Sequence, residues 1–130
     1  MTKKDYIKYW VDTANEDWVT IEVLRKGKRF LYALFLAHLT LEKLCKAHWV
    51  KDNKDNHPPR IHNLVYLIGQ TKLKFSDDEM DFLRKMNDLQ LEGRYPDYIE
   101  SKIKEYKEKN TKPILDKANT IRLCLLKGLQ

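Results

Sequence analysis

Residues 35–50, FLAHLTLEKLCKAHWV, belong to a run from Arg29 to about Val50 with apolar side chains on nearly every helical face. A helix of that kind cannot lie on a surface, so the other elements must surround it. Along it stand His38, Glu42 and Lys46 at intervals of four. Each such step turns the helix by about 40°, which puts all three within one stripe of about 80°, with Cys45 and Trp49 inside or beside it. An ionised glutamate there costs on the order of several kcal/mol unless it is paired. Glu42 must therefore find Lys46, His38 or a group from another helix. The bland alternative is a local Glu-to-Lys pair at a bundle edge, which contributes only about 0.2–0.5 kcal/mol.

The neighbours of this central helix can be read in turn. Thr2 and Asp5 open a first helix in which Tyr6, Trp10, Ala14, Trp18, Ile21 and Leu24 recur at three and four, and which is expected to end near Lys26 at Gly27. KDNKDNHPPR, residues 51–60, is a loop, and a short helix lies within IHNLVYLIGQT. SDDE at 76–79 is a capping box ahead of Met80, Phe82, Leu83, Met86 and Leu89, with Gly93 expected at the C′ position. The charged stretch from Glu100 to Asn110 predicts a surface helix, and Pro113 is expected to open the last one.

With only 4 Gly and 4 Pro against 42% hydrophobic and 34% charged residues, a turn-rich β fold is disfavoured. Short connections between helices imply antiparallel neighbours. The expectation is an all-α, antiparallel up-and-down bundle of four main helices plus one or two short ones, forming a single domain over residues 1–130. The three tryptophans, Trp10, Trp18 and Trp49, should help fill its core, each indole N–H near a partner or the boundary.

A net charge of +6 favours anionic partners without saying which. Cys45 and Cys124 lie in apolar helical runs and are expected to be buried free thiols of a reducing compartment. The N-terminal segment has no apolar signal stretch and no run approaches 18 uncharged apolar residues, so the expected location is cytoplasmic, with no membrane partner. Glycine-rich phosphate loops, nucleophile elbows, HExxH and Cys/His/Asn sets are absent from the sequence, which leaves hydrolase chemistry of the familiar kinds without a foothold. His38 and Glu42 alone do not make a metal site, and no metal or cofactor is expected.

A second polar cluster, RYPDY, follows Gly93. Arg94 offers a planar fork of donors for phosphate or carboxylate, Pro96 stiffens the backbone and extends Tyr95, and Asp97 is a nearby partner. Arg94 could equally pair with Asp97 or cap the preceding helix, and His62 could cap the short helix that follows it.

Taken together, GKRFLYALFLAHLTLEKLCKAHWV, HPPRIHNLVYL and EGRYPDY resemble the HEPN family, the higher-eukaryote and prokaryote nucleotide-binding domain. The resemblance spans nearly the whole chain and rests on Glu42-Lys43 in the buried helix, His62 with Leu64 after the Pro-rich loop, and Arg94 to Asp97. It implies a helical bundle, commonly a homodimer. Family members include metal-independent ribonucleases, toxin or antitoxin partners of small nucleotidyltransferases, and nucleotide binders. The ribonuclease branch carries Arg, four to six residues, then His, and no histidine here has an arginine at that spacing. The expected function is therefore binding of a nucleotide or anionic ligand by His38, Glu42, Lys46, His62, Arg94, Tyr95 and Asp97, as accessory, toxin or antitoxin partner of a nucleotidyltransferase. The alternatives are a ribonuclease with a nonstandard Arg/His pair acting on RNA, and a structural interaction domain without ligand.

Overall fold

Alternation of apolar residues at three and four gives six α-helices and no strand in a computed structural model that describes residues 1–130. They are α1 (Lys3–Lys26), α2 (Phe30–Asp52), α3 (Leu64–Gly69), α4 (Asp77–Met86), α5 (Pro96–Glu105) and α6 (Glu108–Lys127), with a single 3-10 turn, Asn87–Leu89, after α4. The all-helical bundle expected from the sequence is present, built on three long helices, α1, α2 and α6, with three shorter ones beside them. Fourteen of the 23 residues of α2 are buried, against Ala14 and Ile21 alone in α1, so α2 is the central helix.

Polar contacts at the ends fix the helix directions. Lys3 Nζ donates to the Val50 and Asn53 carbonyls at 2.6 and 2.7 Å, so the start of α1 caps the end of α2 and the two run antiparallel. Arg25, near the end of α1, pairs with Glu108 at the start of α6. Buried His48 meets the Leu125 carbonyl through Nε2 at 2.8 Å, tying the last turns of α2 and α6 side by side. Gly128 completes that contact, because a Cβ there would lie 2.9 Å from His48 Cε1.

Several boundaries differ from the sequence expectation, each for a local reason. The α1 stop is not among them, with Lys26 last and Gly27 as cap at φ −81°, although the left-handed residue is Lys28 at φ 58°. Lys28 N–H donates to Arg25 O and Arg29 N–H to Leu24 O, a Schellman pattern with lysine where glycine is usual. Helix α4 ends at Met86 rather than at Gly93. Gly93, at φ 76°, instead sits in the turn that Arg94 N–H closes onto Leu91 O. Pro96 starts α5 at its first position, earlier than the charged stretch suggested, and α5 buries no residue, as a surface helix should.

Pro113 does not open α6. The helix begins five residues earlier, where the Asn110 side chain accepts the Lys107 N–H at 2.6 Å, and Pro113 lies exposed in its second turn. Cys45 is buried, but Cys124 is exposed because it falls on the outer face of α6, contrary to the expectation for it. The tryptophans are partly buried at the edge of the core, and Trp49 Nε1 donates to Gln70 Oε1 at 2.8 Å. No helix is long and apolar enough to cross a membrane.

Candidate functional site

The stripe on α2 faces inward and is paired. Glu42 is 4% and Lys46 6% exposed. Glu42 Oε2 accepts from Lys46 Nζ at 3.0 Å, and Glu42 Oε1 lies 2.9 Å from His62 Nδ1, which the segment before α3 supplies. The other nitrogen of His62, Nε2, is 3.1 Å from Glu92 Oε2. Carboxylates accept and do not donate, so the ring N–H of His62 is the donor in this bridge. The Lys46 ammonium also sits 5.4 Å from the Trp10 ring centroid, a cation–π contact that reaches across to α1.

His38 is fully buried and held by a chain of amides whose directions can be worked out. Asn63 Oδ1 accepts the Tyr66 N–H at 3.1 Å, capping α3, and the Asn87 Nδ2 group at 3.2 Å. The remaining oxygen, Asn87 Oδ1, accepts the Leu64 N–H at 3.1 Å and faces His38 Nε2 at 3.4 Å. A carbonyl oxygen cannot donate, so the His38 proton belongs on Nε2. Nδ1 is then the bare, buried nitrogen, without a hydrogen bond and 3.8 Å from Glu42 Oε1. Burial pushes the His38 pKa down, and the Glu42 charge offsets this only in part, so His38 is neutral at pH 7.

Arg94 stands apart from these buried pairs. Its Nε donates to the Gln90 carbonyl at 3.1 Å and its guanidinium lies 4.6 Å from the Tyr98 ring centroid. Neither Nη atom has an ion-pair or hydrogen-bond partner, so the fork is held from behind with its front donors free. Of the two local roles open to Arg94 in the sequence, neither is made: it does not pair with Asp97, and the carbonyl it meets is that of Gln90, beyond the end of α4. Asp97 is exposed in the first turn of α5, where a carboxylate favours the helix dipole. Tyr95 is 79% exposed.

The structure thus brings His38, Glu42, Lys46 and His62 together and leaves Arg94, Tyr95 and Asp97 on the adjacent surface. The link between the two groups is Glu92, which docks the loop carrying Arg94 onto His62. Sequence reading passed over Glu92, Asn63 and Asn87, and took Trp10 for core filling alone. Glu92 alone had a signal, since it stands directly before the Gly93 turn. No group of three His, Cys, Asp or Glu side chains is arranged to hold a metal ion.

A family model described as HEPN domain matches residues 7–129. The chain belongs to the HEPN family. No curated protein and no solved structure was found to match it. Membership places it among nucleotide-binding and ribonuclease-like helical modules, which commonly dimerise. The buried Glu42 network and the RYPD segment hold all seven residues that the sequence singled out in this HEPN chain.

Proposed function

We propose that this HEPN chain is a binding module for a nucleotide or a similar anionic ligand, met at the surface by Arg94 and Tyr95. The observation that carries the reading is the guanidinium of Arg94, pinned by Gln90 and Tyr98 with both Nη groups free. A fork held in this way loses little rotamer freedom when it takes up a phosphate bidentately. Tyr95 offers an open ring for stacking. Lys46 and Glu42 are committed to each other inside, so their part, with His38 and His62, is to hold the Glu92 loop in place. Family habit, with Val19 and Val23 exposed one turn apart on α1, supports a homodimer, and the nucleotidyltransferase partner is carried over from the family resemblance alone.

Thermal shift with AMP, ADP, ATP and GTP tests the reading. A ligand at a hundred times its dissociation constant stabilises by about 2.7 kcal/mol. The shift should grow from mono- to triphosphate and be lost in Arg94→Ala. No shift with any of the four would end the binding reading. Cleavage of RNA without added metal, lost in His62→Ala, would replace it with ribonuclease activity.

A further inference from the structure

Helix α1 packs on α2 along one side and leaves its outer side open. Five of its residues, Lys8, Val11, Asn15, Val19 and Glu22, follow one another in steps of 3, 4, 4 and 3, so they share one strip of the helix. All are exposed except Val11, which is half-buried, and Val19 is 69% exposed. The strip is symmetric about Asn15, with a valine four residues away on each side and opposite charges seven residues away. Such a strip is complementary to its own antiparallel copy. In a two-fold contact residue i meets j and j meets i. With the axis at Asn15, Val11 meets the partner's Val19 and Lys8 the partner's Glu22, each twice. The next pair outward, Lys4 with the partner's Lys26, is like-charged, which bounds the seam at about 21 Å.

Two hollows between α1 and α6 flank the strip and obey the same symmetry. One, of about 640 Å3, is lined by Lys4, Lys8, Val11, Leu126 and Leu129 among others, and the second, of about 370 Å3, by Val19, Glu22, Leu115 and Asp116. A two-fold at Asn15 lays the first hollow of each copy beside the second hollow of the other. Asp5 at the first belongs to the α1 cap, and Arg25 at the second pairs with Glu108. The charges left at the rims are Lys4 and Lys8 on the first and Glu22 and Asp116 on the second, so the facing rims are of opposite sign. The pairs that Lys8, Glu22 and Asp116 make within their own helices are exposed and contribute little.

We propose that a second copy of this chain docks on this face, α1 against α1 in antiparallel direction, with the two-fold axis at Asn15. The inference rests on the homodimer reading and goes beyond it by fixing the face, the direction and the register. Charge pairs of this kind set register, so reversing one counts where removing it changes little.

Cysteine linking in the full chain tests it. With Cys124→Ser in place the remaining native thiol, Cys45, is buried. Asn15→Cys should then give a disulfide-linked dimer under mild oxidation, because a self-link needs Cα atoms within about 7 Å and only a residue on the axis comes so near its own copy. Val19→Cys should not link to itself, since its copies stand about 12 Å apart along the helix, but it should link to Val11→Cys in an equimolar mixture. Lys8→Glu should weaken the dimer about tenfold by sedimentation, and adding Glu22→Lys should bring it back to within about threefold of the parent. Linking at Asn15 together with this rescue supports the α1 seam. A dimer by sedimentation that neither links at Asn15 nor responds to Lys8→Glu overturns the seam and leaves the homodimer reading standing. A chain that stays monomeric at its highest soluble concentration overturns both.

Discussion

Replacing Glu42 by alanine should be among the most damaging single changes in this chain, and the cost can be worked from the contacts. Glu42 is 4% exposed and its two oxygens meet Lys46 Nζ at 3.0 Å and His62 Nδ1 at 2.9 Å. Removing it strands the Lys46 ammonium, itself 6% exposed, with only the Trp10 ring for company. Breaking a buried pair from one side costs about 3–5 kcal/mol. With unfolding entropy near 2.1 cal/mol/K per residue, a chain of this length loses about 3.7 °C per kcal/mol, so the midpoint should fall by roughly 11–18 °C.

Lys46→Met should cost less, because Glu42 keeps His62. The double change Glu42→Leu with Lys46→Met should recover much of the loss, since apolar groups of similar volume often replace buried ion pairs at little cost. Lys8→Met, which breaks the exposed Lys8–Asp12 pair, should leave the midpoint unmoved. Circular-dichroism melts of the four variants decide the matter. If Glu42→Ala melts within about 3 °C of the parent, or the double variant loses the sum of the two singles, the pair is not the buried, coupled unit described here.

Other expectations follow from single contacts. Burial lowers the pKa of both His38 and His48 below the ordinary 6.5, so between that value and the lowered one the unfolded chain binds more protons than the folded chain. This part of the stability is complete above about pH 6.5 and declines as pH falls below it. Urea midpoints should therefore be lower at pH 5.5 than at 7.5, and a midpoint that rises on acidification would contradict the assignment. Cys45 is fully buried with its thiol pKa pushed up to about 12, whereas Cys124 is exposed. A thiol-specific reagent should count one cysteine per native chain and two in guanidinium. Lys28→Gly relieves a left-handed lysine and should raise the melting midpoint by about 4 °C, corresponding to about 1 kcal/mol. An unchanged or lower midpoint would show that φ is not strained there.

What the sequence disclosed and what it concealed divide along contact range. The role of α2 was legible because apolar residues cover nearly every face of it, and the capping boxes at Thr2 and Ser76 were legible because their partners lie three residues away. Gly27 marked the end of α1 correctly, but only the backbone shows that Lys28 takes the left-handed φ of the Schellman turn. Pro113 misled because a side-chain cap at Asn110 lets α6 start early and carry the proline into its second turn. Nothing local could show that Glu42 would find His62 twenty residues on, or that Asn87 would reach back to His38 across forty-nine.

Those long-range pairs also decide how the polar residues divide their work. Lys46 lies in the same stripe as His38 and Glu42 and, from the sequence, serves equally as an inner support or as a phosphate contact. Burial with Glu42 assigns it to support, and the free donors pass to Arg94, whose loop is held by Glu92 on His62. On the proposed reading, a ligand at Arg94 would be coupled to the buried network through the exposed contact between Glu92 and His62. Glu92→Gln should lower affinity at Arg94 while leaving the melting midpoint nearly unchanged, because Glu92 is exposed and contributes little to stability by itself. Titration of ATP against this variant, beside its melting curve, separates the two effects. A fall in midpoint as large as that of Glu42→Ala would mean that the loop belongs to the core and that its link to Arg94 has no bearing on ligand.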